Sequence, residues 1–275
     1  MAIKDILVAL APRDEFDPAR DYAMAMASTY NAHLTAAAYA IVPEVPDSIL
    51  FPQFAAGLVQ KVRDEAEAAV KAARERFEQA ARSVGVPTSF HGFSSFVNAV
   101  TTDFAARLRT ADIGILTQHK ADDPERFGDL FVEGALFRSG RPIIIVPRGY
   151  TGRFSTERVL IAWDGSVHAT RAVAAAMPLL EGADISVFTV EEASKGQDFR
   201  GSALLDHLRR HGLNAGIAQR NETDIPAAIV KEAELSRASL VVMGGYGHSR
   251  FREFVFGGAT RLMLDKMPVP VLMAH

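Results

Sequence analysis

Met243-Gly244-Gly245-Tyr246-Gly247, nine further residues, and then Gly257-Gly258-Ala259-Thr260 form the stretch of this chain whose spacing most suggests a ligand. The apolar run Ala238-Ser239-Leu240-Val241-Val242-Met243 precedes it and has the composition of a buried strand. A strand that turns through glycines into a helix aims backbone N–H groups, and the positive end of a helix dipole, at an anion. Glycine suits such a turn because it admits positive φ and lets backbone approach a phosphate closely. Gly257 and Gly258 would open the helix, and Thr260 would add a hydroxyl in its first turn. The chemistry implied is phosphate cradling.

A second loop, Trp163-Asp164-Gly165-Ser166, follows the apolar run Val159-Leu160-Ile161-Ala162. An ionised carboxylate only accepts hydrogen bonds, so Asp164 suits a ribose hydroxyl. Each motif has a plainer reading. Glycines at strand ends make turns, and Asp-Gly-Ser is a common turn and helix N-cap. Their coincidence at one expected sheet edge favours a ligand.

The elements that must position these loops alternate strand and helix. In the second half strands are expected near 158–163, 184–190, 214–219, 239–243 and 269–274, and helices near 167–180, 200–211, 224–236 and 257–266. Continuous apolar strands such as 239–243 fit a parallel sheet covered on both faces. Alternation of this kind implies an open α/β sheet with right-handed crossovers, whose ligand sits beyond the carboxyl strand ends.

The chain also repeats itself weakly. Ile6-Leu7-Val8-Ala9-Leu10 resembles Val159-Leu160-Ile161-Ala162-Trp163, and Ala111-Asp112-Ile113-Gly114-Ile115-Leu116 resembles 238–243. Arg141-Pro142-Ile143-Ile144-Ile145-Val146 resembles Val269-Pro270-Val271-Leu272-Met273. The spacing differs between the halves, which places an insertion around Pro43–Gly85, where a Pro-punctuated loop leads into a long Ala/Glu/Arg-rich helix. The boundary falls in Pro147-Arg148-Gly149-Tyr150-Thr151-Gly152-Arg153-Phe154-Ser155. Two units result, 1–150 and 155–275.

The chain has 275 residues, 48% of them hydrophobic, a net charge of −3 and no cysteine. Neither half is basic, which argues against a nucleic-acid partner. The lack of cysteine excludes disulfides and thiolate chemistry and fits a cytoplasmic protein. No apolar run approaches the roughly 20 residues of a membrane span. No Gly-x-Ser-x-Gly, Gly-Lys-Ser or His-Glu-x-x-His occurs, and Ser166 and His168 lack an evident orienting acid, so no catalytic set is expected.

Strand–Asp-Gly-Ser at the start of a unit, with Gly-x-x-Gly, nine residues and Gly before a final helix and a Pro-Val-Leu strand, resembles the universal stress protein family. The match is specific over 157–275 and visible by topology in 1–150, so the whole chain resembles a tandem member. The resemblance implies two tandem Rossmann-like open parallel five-stranded sheets, of the adenine nucleotide alpha hydrolase type, in the order 3-2-1-4-5 with helices on both faces. It implies ATP or another adenine nucleotide as ligand, with Mg as a companion ion. Asp164 would then face ribose and adenine, Ala162 and Trp163 would border the base, and Val190 would line the same pocket. Met243, Gly244, Tyr246 and Gly247 would follow the ribose and first phosphates. Gly257, Gly258, Ala259 and Thr260 would hold the outer phosphates. Gly258 departs from the family, which usually has Ser or Thr there, so a hydroxyl is lost while the backbone N–H remains. The family pairs single domains through fifth strands. Here 142–147 and 269–274 could meet within one chain as an intramolecular pseudo-dimer, and a further homodimer stays open.

The first half departs further. Ala11-Pro12-Arg13-Asp14 replaces Asp-Gly-Ser, and Thr117-Gln118-His119-Lys120-Ala121-Asp122-Asp123 replaces the glycines. Glu133, beside Gly134, would repel phosphate. This half is not expected to bind ATP in the family manner. His119, Asp122 and Asp123 meet no metal-spacing rule, and His207 and His211, spaced i,i+4, read as a solvent-facing pair. His248, Ser249, Arg250 and Arg252 read first as solvated loop residues. The expected function is a stress-response regulator that binds an adenine nucleotide in 155–275. The alternatives are a slow ATPase or a scaffold acting by oligomerisation.

Overall fold

The computed structural model describes residues 2–42, 52–118, 127–190, 199–220, 222–245 and 264–275. The first half runs β1 (Asp5–Leu10), α1 (Pro18–Tyr30), β2 (His33–Ile41), α2 (Pro52–Val84), β3 (Thr88–Ser95), α3 (Val97–Leu108), β4 (Ile113–Thr117), α4 (Phe127–Ser139) and β5 (Ile143–Val146). The second runs β6 (Arg158–Ala162), α5 (Val167–Ala176), β7 (Asp184–Val190), α6 (Phe199–Arg210), β8 (Ala215–Arg220), α7 (Ile225–Leu235), β9 (Leu240–Gly244) and β10 (Val271–Ala274). A helical turn at 264–266 precedes β10.

Local chemistry sets several boundaries. Asp17 accepts from Arg20 N to cap α1, Ser166 accepts from Ala169 N to cap α5, and Asp224 accepts from Ala227 N to cap α7. Each satisfies an N–H that the first helical turn leaves without a partner. Pro18 stands at the start of α1, where a missing N–H costs nothing. At the other end of α1, Asn31 adopts the left-handed conformation that ends the helix, with φ of 47°.

Ten strands form one sheet in the order β3-β2-β1-β4-β5-β10-β9-β6-β7-β8. Each half keeps the 3-2-1-4-5 order, and the second reads backwards along the sheet. The two five-stranded halves are not separate: β5 and β10 pair antiparallel, with Ile144 opposite Leu272. Every other neighbouring pair of strands in the sheet is parallel. The antiparallel seam turns the halves head to tail, so their carboxyl strand ends lie at opposite edges of the sheet. All four residues of β5 and all four of β10 are buried, which is what a central strand covered on both faces requires.

One apolar core lies on each face. Ile6, Val8, Ile144, Ile161, Val242 and Leu272 face the side of α1, α2, α5 and α6. Leu7, Ile143, Ile145, Val241, Val271 and Met273 face the side of α3, α4 and α7. Alternate residues of one strand therefore enter different cores, as the pleat demands. Leu and Ile side chains from both halves share each core, so the seam is packed as interior.

The insertion inferred from the repeat is helical. α2 runs 33 residues where α6, its counterpart, runs 12. It packs tightly on the edge strand: a Cβ added to Gly92 would lie 2.5 Å from Val70 Cγ1. The boundary segment is also held. Tyr150 and Phe154 stack edge-on against Tyr22 of α1, with centroids 6.2 and 5.3 Å away, and Phe154 meets Tyr30 at 5.8 Å. No described helix is long and apolar enough to cross a membrane.

Candidate functional site

The sheet brings the strand-end residues of the second half together. β6 lies between β7 and β9, with Ala162 in register with Phe188 on one side and Met243 on the other. The carboxyl ends carrying Trp163, Val190 and Gly244 therefore form one contiguous edge. Trp163 N donates to Phe188 O at 2.9 Å, which extends the β6–β7 ladder by one residue. Its ring packs against the core on the α5 side, while Ala162 and Met243 pack against the other. Val190 ends β7 opposite Arg220. Asp164 is exposed at the mouth of the edge.

The Asp-Gly-Ser loop makes the turn that its plain reading describes. Asp164 Oδ1 accepts from Ser166 N at 2.9 Å, Gly165 takes φ of 73°, and Ser166 Oγ accepts from Ala169 N at 3.1 Å. Ser166 is thus a helix cap. Gly244 also has a packing reason for its identity. A Cβ there would lie 2.6 Å from Ala169 N and 2.8 Å from the His168 carbonyl carbon, so only glycine lets the first turn of α5 sit against β9. Gly244 and the Asp-Gly-Ser loop consequently serve the fold, and in doing so set α5's N-terminus beside the end of β9. Tyr246, Gly247, Gly257, Gly258, Ala259 and Thr260 lie outside the described residues, as do His119, Asp122, Asp123, His248, Ser249, Arg250 and Arg252.

The corresponding edge of the first half is closed by a carboxylate that the sequence reading passed over. Asp17, only 4% exposed, accepts from Ala11 N at 3.0 Å, Arg20 N at 3.2 Å and Thr117 Oγ1 at 3.2 Å. It ties the loop after β1, the start of α1 and the end of β4 into one knot. Burial raises its pKa, against the lowering effect of its hydrogen bonds. Outside it, Arg148 pairs with Asp14 at 2.7 Å. The Asp17-Pro18 pair was a legible cap signal; the bond to Thr117, a hundred residues away, was not.

Gln118 joins the halves. Its amide donates to Leu264 O and Asp265 O, and its carbonyl oxygen accepts from Arg148 N at 2.9 Å. An open cavity of about 490 Å³ lies at this junction, bordered by Gln118, Tyr150, Thr151, Asp265 and Lys266. None of the described residues expected to bind nucleotide lines it.

A second polar cluster went unread in the sequence. Tyr39 Oη and Arg107 Nε both donate to Asp103 Oδ2 at 2.8 Å, and His91 Nε2 lies 3.2 Å from the same oxygen. Burial opposes the charge on Asp103, but the Arg107 and Tyr39 hydrogen bonds outweigh it and hold the carboxyl below its ordinary range. Burial, and then Arg107, lower the His91 pKa. Only the i,i+4 spacing of Asp103 and Arg107 was visible in the sequence. His207 in the last turn of α6 and His211 just past its end are both exposed, with ring centroids 4.8 Å apart, the solvent-facing pair expected.

The model of the universal stress protein family matches residues 155–275. This half of the chain belongs to the universal stress protein family. A universal stress protein of Synechocystis sp. is 30% identical over 137 residues, covering 48% of this chain and 46% of that one. The chain thus spans about half the length of this curated relative. The solved structure of a universal stress protein from Archaeoglobus fulgidus is similar with a TM-score of 0.75 at 16% identity, covering 98% of this chain and 96% of that chain. The cytoplasmic domain of a prokaryotic cation chloride cotransporter is similar with a TM-score of 0.53 at 11% identity, covering 99% and 96%. At such identities the likeness is one of fold. It extends over both halves, and so carries the universal stress protein fold into the first.

Proposed function

We propose that this chain is a stress-response regulator that binds one adenine nucleotide at the edge formed by β6, β7 and β9, in the unit 155–275. The observation that carries this reading is the register of Ala162 with Met243, which puts Asp164 and Gly244 at adjoining strand ends. Asp164 receives the ribose, Ala162, Trp163 and Val190 border the adenine, and Met243, Gly244, Tyr246 and Gly247 follow the ribose and first phosphates. Gly257, Gly258, Ala259 and Thr260 hold the outer phosphates. Mg²⁺ enters as the nucleotide's companion ion. The first half, a degenerate unit over 1–150, acts as partner within a cytoplasmic pseudo-dimer, because Asp17 fills its own strand-end position with negative charge.

Equilibrium dialysis of the full chain with ATP and AMP tests this. Saturable binding that weakens at least tenfold in Asp164→Ala is expected. No binding at millimolar nucleotide by the folded protein would overturn it. The continuous seam at β5–β10 favours one second reading, a scaffold whose activity is assembly alone. That reading requires the same melting temperature with and without nucleotide, whereas a ligand confined to the folded state raises it.

A further inference from the structure

At the end of β10, His275 meets His168 of α5, with ring centroids 4.3 Å apart and 36° between the planes. Phe137 of α4 lies edge-on to His275 at 4.4 Å. This pair stands beside the first glycines of the candidate site. A Cβ on Gly244 would lie 2.9 Å from His168 Cβ, and Gly245 N donates to Ala274 O, one residue before His275. His168 Nδ1 is buried and has no hydrogen-bond partner among the described residues.

Among the described residues, the charged and titratable groups facing His275 are His168 and Arg171, the latter one turn further along α5. From α4 comes Phe137, and the end of β9 contributes Gly244, followed by Gly245, none of which titrates. An imidazolium has two N–H donors. On His168, the one at Nδ1 would be buried without an acceptor. Charging both rings would also set two cations side by side, next to a guanidinium. Burial, then His168 and Arg171, accordingly lower the pKa of His275. An anion at the end of β9 reverses this balance, because opposite charge favours the protonated ring.

We propose that His168 and His275 form a proton-coupled contact for the phosphate end of the nucleotide, taking up a proton as the phosphates bind. This rests on the nucleotide reading above and adds to it two residues outside the glycine motif. By linkage, a ligand whose binding takes up a proton binds more tightly as pH falls. Adenosine, which lacks phosphate, draws no proton.

Isothermal titration calorimetry of ATP into the full chain, from pH 5.5 to 8.5 in buffers of different ionisation enthalpy, tests the proposal against the double variant His168→Asn, His275→Asn. Protonation of the nucleotide itself is common to both proteins and cancels in the comparison. The wild type should take up up to one proton more than the variant, and its affinity should gain up to tenfold over the variant's for each pH unit fallen. Equal proton uptake and equal pH slopes, with binding intact, would overturn the role of the pair alone. Absence of ATP binding to either protein at every pH would overturn the nucleotide reading as well. If the double variant does not fold, His275→Asn alone gives the same comparison at a half-buried position. Ring-proton NMR of the wild type with inorganic tripolyphosphate gives a second readout: the His275 resonances should move toward their protonated positions, and unmoved resonances at saturation would count against the pair.

Discussion

Gly244 and Asp17 occupy carboxyl strand ends in the two halves and do opposite things. Gly244 leaves room, so that backbone of α5 can approach β9. Gly244→Ala would drive a methyl into Ala169 N and the His168 backbone, neither of which can swing aside as a side chain could. A loss of about 1–3 kcal/mol is expected from such overpacking, read as a lower denaturant midpoint with unchanged slope. A variant as stable as the wild type would show that α5 sits further from β9 than described. Asp17 instead fills space with three accepted hydrogen bonds. Asp17→Ala removes the cap of α1 and leaves Ala11 N and Thr117 Oγ1 without their acceptor. The expected cost is about 2 kcal/mol, with the cap and the orphaned donors each contributing about 1 kcal/mol. Asp17→Asn should recover part of it, because an amide oxygen still caps; equal losses in both variants would argue against the cap.

Among the elements, β2, β3 and α3 are cross-linked by one carboxylate. Asp103 on α3 holds Tyr39 of β2 and Arg107 of its own helix, with His91 of β3 beside them. The pH dependence follows from the signs. His91 titrates lower in the folded chain than its ordinary value of 6.5, so the unfolded chain binds its proton first. Stability from the neutral ring is complete above about pH 6.5 and declines as pH falls from there toward the lowered value. Asp103 also titrates below its ordinary 3.8, so its contribution persists to more acid pH and is lost as pH falls through the lowered value. Thermal melts of His91→Gln across pH 4.5 to 8 should therefore fall less steeply below pH 6.5 than those of the wild type. Parallel curves would mean that His91 keeps its ordinary pKa. The elements themselves were largely legible: the apolar runs near 158–163, 184–190 and 239–243 correspond to β6, β7 and β9, and the apolar runs of the first half to β1, β4 and β5. This cluster was not, because a Tyr, a His and an Asp on three elements share no spacing rule along the chain.

For the whole molecule, the β5–β10 seam governs assembly. Both strands are short, wholly apolar and buried, and each covers the other's edge. An exposed apolar strand edge templates pairing with another chain. A chain comprising 155–275 alone should therefore dimerise through β10, seen as twice the monomer mass by light scattering at micromolar concentration. The full chain should show no such seam-driven step. A monomeric 155–275 across the concentration range would remove the seam as the organising contact. The shared cores reinforce it, since residues of both halves enter each face.

The sequence by itself determined the alternation of strand and helix, the repeat, the 3-2-1-4-5 order of each half through family resemblance, and the glycine and Asp-Gly-Ser loops. Those features are encoded locally, by periodicity, by caps and by residues with special backbone freedom. Tertiary structure decided the rest. It fused two five-stranded halves into one ten-stranded sheet, set their strand ends at opposite edges, closed one edge with Asp17, and brought His168 to His275. Each of these depends on contacts between residues far apart in the chain, whose partners are chosen by packing and burial after the elements have formed.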